Sequence, residues 1–323
     1  MPADEFDIIR SLFAPLATHP GARGLRDDAA LIEVQGGLVI TTDALVEGVH
    51  FRPDDPICTV AKKALRVNLS DLAAKGAAPL GALLTLIWPD QRPASQIAEF
   101  ARGLGEDLRH YHVALLGGDT TSTPGPLSVS IAAFGAPLGA RVPARADARP
   151  GEDIWLTGTI GDAWLGHEVL CGNWPAGEPA HHAAMIARYR LPEPRTGLAG
   201  IVARCAGAAM DVSDGLAGDA AKLASASGVA LRIDANALPF SDAARAWMAE
   251  HSSFGRLLDW GDDYEILFTA APARRLDVES GAAARGARVS RIGVVEEGDG
   301  ARIVTTDGSL AVSDGGYVHK LGR

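Results

Sequence analysis

Six short stretches of this chain place aspartate beside small or hydroxyl-bearing residues at the ends of apolar segments. Asp28 stands in Arg26-Asp27-Asp28-Ala29-Ala30, and Asp43 closes Val39-Ile40-Thr41-Thr42-Asp43. Asp71 lies in Asn68-Leu69-Ser70-Asp71-Leu72, and Asp119 in Gly117-Gly118-Asp119-Thr120-Thr121. Asp211 and Asp214 share Asp211-Val212-Ser213-Asp214-Gly215-Leu216, and Asp262 and Asp263 share Gly261-Asp262-Asp263-Tyr264-Glu265. A carboxylate at the end of a buried strand is unfavourable unless something compensates it. One such Asp is usually a cap or a turn residue. A series of them suits Mg²⁺, which takes oxygen ligands, keeps waters and bridges phosphates with few protein ligands per ion. The neighbouring Ser and Thr hydroxyls add ligands or donate to phosphate oxygens. Gly117-Gly118 lets backbone N–H groups approach an anion. Asp71 conflicts with local rules, because it sits inside a helical pattern where Asp is a poor helix former. Ser213-Asp214-Gly215 has a second reading, as the N-cap of a helix from Leu216.

Other phosphate and hydrolytic chemistries lack their signatures. The chain has no GxxxxGK[ST], no strand-linked GxGxxG, no protein-kinase motif set, and no Gly-x-Ser-x-Gly elbow. His167-Glu168 lacks the second histidine of HExxH. His181-His182 reads as a surface loop pair rather than a metal pair.

The elements that must position the acids follow from periodicity. Phe6, Ile8, Ile9, Leu12, Phe13 and Leu16 predict an opening amphipathic helix. Short strands are expected at Ala30–Val34 and Leu38–Thr42 around a Gly36-Gly37 turn. Helices are expected at Ala61–Ala74 and Ser95–His110, and strands at Leu80–Trp88, Val113–Leu116 and Leu127–Phe134. The Gly-, Pro-, Ala- and Arg-rich stretch Ala136–Glu152 reads as the crossing between halves. Beyond it come strands at Ile154–Thr157, Ala208–Val212, Leu231–Asp234, Ile266–Thr269, Val289–Val295 and Ile303–Thr305. Helices are expected at Ala163–Cys171, Ala183–Arg190, Gly197–Ala206 and Leu216–Ala226, with a loop at Cys171–Pro179. Several strands adjoin without a helix between them, which favours α+β or mixed α/β over a doubly wound sheet. The expectation is two subdomains, 1–137 with a mixed sheet and helices, and 138–323 as an α/β sandwich.

Composition narrows the function. The chain has 323 residues, is 47% hydrophobic, and carries 30 basic and 40 acidic residues for a net charge of −10. It can bury a core, and it lacks the basic footprint of a nucleic-acid binder. Three widely spaced cysteines, Cys58, Cys171 and Cys205, argue against a disulfide framework or a structural zinc and for a reducing cytoplasm. The acidic start meets Arg10 before any apolar run, and Ala82–Trp88 is too short to span a bilayer, so neither a leader nor a membrane anchor is expected.

At these residues the chain resembles the thiamine-monophosphate kinases of the aminoimidazole-ribonucleotide-synthetase-like superfamily. The resemblance runs from Glu5-Phe6 to Gly316-Tyr317 and includes Glu47-Gly48-Val49-His50-Phe51 and Asn68-Leu69-Ser70-Asp71-Leu72-Ala73-Ala74-Lys75-Gly76-Ala77. It implies that superfamily's fold and ATP-dependent phosphorylation of thiamine phosphate to thiamine diphosphate. By that resemblance Asp28, Thr41, Thr42, Asp43, Asp71, Asp119, Asp211 and Asp214 would hold several Mg²⁺ ions. Gly118, Asp119, Arg145 and Ser213 would contact ATP, and His50, Asp262 and Tyr317 the thiamine phosphate. It also implies a homodimer paired through the N-terminal halves, and a nucleotide held in a cleft between the halves. Two departures stand out. Arg26 replaces the second glycine of a Gly-Ile-Gly-Asp-Asp stretch, and Asp262 stands where other relatives carry Glu. A selenophosphate synthetase of the same superfamily would place a reactive Cys near the N-terminus, and none precedes Cys58. The superfamily's ribonucleotide cyclase, which a substrate panel with ADP release would separate, a non-catalytic Mg-nucleotide sensor and a ligand-free acidic scaffold are the remaining readings; the sensor predicts ATP binding without turnover, the scaffold no thermal shift with Mg-ATP.

Overall fold

In a computed structural model of the chain, the structure describes residues 8–25, 33–174, 177–251, 254–305 and 308–311. The chain divides into two compact units, Met1–Leu72 with Ala77–Pro137, and Ala73–Gly76 with Leu138–Arg323. Among the described residues, no helix is long and apolar enough to cross a membrane.

The N-terminal unit is built on a four-stranded sheet. Its strands are β1 (Val39–Val46), β2 (Ala77–Pro89), β3 (Ala114–Thr123) and β4 (Ser128–Pro137), in the order β1-β4-β2-β3. Helices α1 (Ile57–Ala74) and α2 (Ser95–His110) complete the unit. Period-two alternation sorts the side chains. Leu45, Val129 and Leu86 are cross-strand neighbours and buried. On the other face the row Thr42, Ala132, Leu83 and the row Val46, Ser128, Ile87 are exposed or half-buried.

The C-terminal unit carries a seven-stranded sheet in the order β11-β10-β7-β9-β5-β8-β6. Its strands are β5 (Asp153–Thr157), β6 (Ala206–Val212), β7 (Ala230–Asp234), β8 (Glu265–Ala270), β9 (Val289–Glu296), β10 (Gly300–Thr305) and β11 (Gly308–Ala311). Its helices are α3 (Asp162–Leu170), α4 (Pro179–Arg190), α5 (Ala199–Cys205), α6 (Leu216–Ser227), α7 (Asp242–His251), α8 (Gly255–Asp259) and α9 (Arg275–Ala283). Alternate residues of one strand enter opposite cores. Ile154, Leu156, Met210 and Leu267 join the core that holds Leu216, Leu223 and Trp247. Trp155, Ala209, Ile266 and Phe268 join the core that holds Ile201, Val202 and Val278. The sheet is therefore a middle layer with helices on both faces, which is why β5, β6 and β8 are buried at every position.

Several element boundaries differ from the sequence reading. The opening segment is a π turn, Ile9–Phe13, followed by a 3₁₀ turn, Ala14–Leu16, because Pro15 removes the N–H that a regular helix needs. The strand expected at Ala30–Val34 lies partly outside the described residues, and Glu33 and Val34 are not in a strand. β1 runs past Thr42 through Asp43 because β4 pairs with it along its whole length. β3 continues through Gly117-Gly118-Asp119, since β2 extends beside it in parallel as far as Pro89 and Thr123. Pro179 begins α4, so His181 and His182 lie in a helix rather than a loop, and the His182 ring packs 5.4 Å from that of Trp174. Helices α7, α8 and α9 and strand β11 have no counterpart in the sequence reading.

Candidate active site

In the N-terminal unit, β1 and α1 bring three of the predicted oxygen ligands together. Alternation puts Thr41 and Asp43 on one face of β1 and Thr42 on the other. The Thr41 hydroxyl donates to the Asp71 carboxylate, and the Asp43 backbone N–H donates to Asn68 Oδ1 at 3.1 Å. Asn68 and Asp71 are three residues apart on α1, so one helix face meets one strand face. Asn68 is fully buried, and its amide nitrogen donates to the Ala64 carbonyl at 3.0 Å, so its orientation is locked. This is the physical reason for an Asp inside a helix: its partner is a strand hydroxyl rather than solvent. His50 follows β1 in a tight turn, where its Nδ1 accepts the Val46 N–H at 3.0 Å. A neutral His50 ring therefore carries its proton on Nε2 and can donate from that side. The Lys63 ammonium, buried on α1, donates to the His50 carbonyl at 3.0 Å.

In the C-terminal unit two loops are laced together. The Asp262 N–H donates to the Ser213 carbonyl at 2.9 Å and the Tyr264 N–H to the Val212 carbonyl at 2.9 Å. A Cβ on Gly261 would lie 1.9 Å from the Ser213 oxygen, so only glycine permits this approach. Asp262 and Tyr264 have left-handed φ of 73° and 50°. Such strain persists only where the surroundings over-determine the backbone, and the other two acids of the stretch do that. The carboxylate of Asp263 accepts the N–H groups of Gly161 at 2.7 Å and Ala163 at 3.2 Å, around the start of α3. Glu265 accepts from Arg195 Nε at 2.6 Å, Arg188 at 2.8 Å and the Thr157 hydroxyl at 2.7 Å. Burial pushes the Asp263 carboxyl well up, against the pull of the Gly161 amide. Burial pushes Glu265 up too, but Arg195 and Arg188 prevail and hold it below the usual glutamate range. Asp263 and Glu265 are thus anchors, and Asp262 is the residue they present.

The Ser213–Asp214 turn is anchored in the same manner. Gly215 precedes α6 with no side-chain cap, so neither Ser213 nor Asp214 is the N-cap that the sequence allowed. Asp219, fully buried in the first turn of α6, accepts the N–H groups of Ser213 at 3.0 Å and Asp214 at 2.9 Å. Lys222, one turn on, donates to Asp219 at 2.9 Å and to Asp214. Asp211 is buried in β6 opposite Ile266.

Other predicted residues lie apart. Asp119 sits on β3 beside Thr85, at the edge of the sheet opposite to β1. Three strand spacings, about 14 Å, separate it from the Asp43 row. Gly118 is the point of closest approach of β3 to β2, where a Cβ would lie 1.9 Å from the Leu84 oxygen. Arg145 is exposed in a 3₁₀ turn, and its carbonyl accepts the Ser227 hydroxyl at 2.6 Å. Ser227 ends α6 and Ser213 precedes it, so the Arg145 backbone and Ser213 are separated by the length of a 12-residue helix, about 18 Å. Asp28 and Tyr317 lie outside the described residues.

Among the described residues no three His, Cys, Asp or Glu side chains cluster closely enough to hold a metal. The N-terminal unit instead gathers Thr41, Asp43 and Asp71 between β1 and α1, and the C-terminal unit carries Asp211 and Asp214 at the end of β6, with the backbone of Asp43 held by buried Asn68 and that of Asp214 by buried Asp219. Hard oxygen donors in small sets, with hydroxyls beside them, fit Mg²⁺ rather than a softer metal.

The AIR synthase related protein family models match this chain, the N-terminal domain over residues 26–136 and the C-terminal domain over 149–305. A thiamine-monophosphate kinase of Caulobacter vibrioides is 43% identical, with 98% of this chain and 91% of that one covered. The chain belongs to the thiamine-monophosphate kinase family. It is therefore a kinase with the AIR synthase-like fold. A family member from Bacillus subtilis is 32% identical, covering 98% of this chain and 99% of that one. The crystal structure of the Stenotrophomonas maltophilia thiamine-monophosphate kinase matches with a TM-score of 0.78 at 36% identity, covering 86% of this chain and 89% of that one. A solved complex of AaThiL with AMPPCP and TMP matches with a TM-score of 0.75 at 31% identity, covering 93% of each chain.

Sequence reasoning missed the supports of the site: Asn68, Asp219, Lys222, Asp263 and Glu265. For Asp219 a signal existed, an acid in the first turn of a helix that follows Ser-Asp-Gly. For Glu265 there was none, because Arg188 and Arg195 reach it from 77 and 70 residues away.

Proposed function

We propose that this chain carries out its family's reaction, ATP-dependent phosphorylation of thiamine monophosphate to thiamine diphosphate, by direct in-line transfer assisted by several Mg²⁺ ions. What supports the metal-assisted reading is the gathering of Thr41, Asp43 and Asp71 where β1 meets α1, with Asp211 and Asp214 at the end of β6. Thr41, Thr42, Asp28 and Asp119 join the proposed ligand set from the family resemblance. Bound Mg²⁺ would neutralise phosphate charge and align the two phosphates. A phosphate oxygen of thiamine monophosphate attacks the γ-phosphorus of ATP, the bond from that phosphorus to the β-phosphate bridging oxygen breaks, and ADP leaves. The nucleophile is anionic at neutral pH, so no general base is needed, and positioning supplies the catalysis. His50, whose Nδ1 accepts the Val46 N–H so that a neutral ring carries its proton on Nε2, suits the substrate phosphate. Asp262, held in its strained backbone, suits the cationic part of the substrate together with Tyr317. Gly118, Asp119, Arg145 and Ser213 would contact ATP.

A homodimer is supported by the uncovered face of the N-terminal sheet, where Ile40 is 61% exposed beside half-buried Phe134, Leu83 and Ile87. Asp43 and Asp119 lie on opposite edge strands of that sheet. Two copies joined face to face with a two-fold axis would set the β3 edge of one along the β1 edge of the other. The partner's Asp119, on the uncovered face of β3, would then come to the edge strand that carries Asp43. The odd, widely spaced cysteines Cys58, Cys171 and Cys205 support a reducing cytoplasm, and the net charge of −10 argues against nucleic acid and anionic membranes as partners. The direct test is product analysis after mixing the protein with ATP, Mg²⁺ and thiamine monophosphate. Thiamine diphosphate and ADP in equal amounts are expected, and failure to form thiamine diphosphate overturns the reading.

A further inference from the structure

One cation in the C-terminal unit has no role in the reaction as described. Lys222 leaves α6 on the same side as Asp219, three residues earlier, and its ammonium bonds both the Asp219 and the Asp214 carboxylates. The two acids differ. The Asp219 side chain is 1% exposed, and its other oxygen already accepts two backbone N–H groups, so it cannot move. The Asp214 side chain is 34% exposed and is bonded to a lysine that is itself 39% exposed. Lys222 is thus tethered at one end to a fixed buried carboxylate and at the other to a movable one, which is a proposed metal ligand. Without this lysine, Asp214 would face the like charge of Asp219, which an ammonium at this position offsets. A divalent cation on Asp214 does the same work and repels the ammonium.

We propose that Lys222 is a built-in counter-ion for Asp214. It holds the carboxylate and the Ser213–Asp214 turn in place before the metal arrives, gives the carboxylate up as Mg²⁺ binds, and keeps Asp219 as its partner. Lys222 is then a positioning residue that sets the Mg²⁺ concentration at which the turn is loaded. This inference rests on the Mg²⁺ reading above.

The test uses nucleotide-free protein, titrated with Mg²⁺ and followed by thermal unfolding, with bound Mn²⁺ counted by electron paramagnetic resonance as a direct check. Lys222→Met and Lys222→Gln should melt earlier than wild type without metal. Both should half-saturate at about tenfold lower Mg²⁺, because the competing charge is gone. Lys222→Arg, which keeps the charge, should titrate like wild type. The glutamine variant carries the test if the methionine variant does not fold. An unchanged or raised half-saturation in the neutral variants overturns the proposal while leaving the Mg²⁺ reading intact. A wild-type protein that neither shifts with Mg²⁺ nor binds Mn²⁺ sinks the metal reading itself, and this one with it.

Discussion

Pairs of inactive subunits should restore one another if Asp43 and Asp119 act across the dimer. The sheet order places β1 and β3 at opposite edges, and the two acids are about 14 Å apart along the sheet. Fully extended, two Asp side chains close only about half of that distance, too little for both to ligate one ion at ~2.1 Å. The perturbation is Asp43→Asn in one subunit and Asp119→Asn in the other. Each variant alone gives a homodimer with both sites damaged. In a mixed dimer one site receives both substitutions and the other receives neither. Randomly mixed equal subunits would then regain roughly a quarter of wild-type activity, and dimers purified through a different tag on each subunit roughly half. The assay is coupled ADP release in the presence of thiamine monophosphate, with light scattering to verify the dimer. Activity of tagged mixed dimers no greater than the mean of the two parents would refute the shared site and place Asp119 in the site of its own subunit.

Three further outcomes are expected. Asp71→Asn keeps volume and an acceptor for Thr41 but loses charge, so turnover should fall by about 10²–10³-fold with an unchanged melting curve; normal turnover at ordinary Mg²⁺ would sink the metal-ligand role. Glu265→Gln leaves Arg188 and Arg195 without their carboxylate and should cost about 3–5 kcal/mol in urea unfolding at neutral pH. Because the folded Glu265 lies below its ordinary value of 4.5, its contribution is complete above that pH and fades as pH falls through the folded value, so the gap between variant and wild type should shrink in acid. Gly261→Ala drives a methyl group into the Ser213 carbonyl and should separate the two loops; a rise in KM for thiamine monophosphate is the readout, and unaltered kinetics would show that the loops need not touch.

Much of the fold was legible because burial imposes periodicity. Ser95–His110 was readable to the residue, and every strand from β1 to β10 had an apolar core visible in the sequence. The errors have physical causes. A strand's length is set by its neighbour, so β1 and β3 run through acids that look like terminators when read alone. Helix α9 mixes Ala, Arg and acids with little apolar contrast, and it is helical because it covers the sheet.

The amino-acid sequence by itself determined the two-part α+β architecture, the family, and the acids Asp43, Asp71, Asp119, Asp211 and Asp214 as candidates, because residue type and order along the chain are local information. Only the tertiary structure decided which groups each acid meets. It separated the half-buried Asp214 from the fully buried Asp219 five residues later, and Asp262 from its anchors Asp263 and Glu265. It also put Asp71 against Thr41 and sent Asp119 to the far edge of the sheet. A carboxylate's role depends on its burial and on which amide, hydroxyl, ammonium or guanidinium meets it. For these acids the partners come from chain positions as far as 108 residues away, as Thr157 does for Glu265, and only folding brings them together.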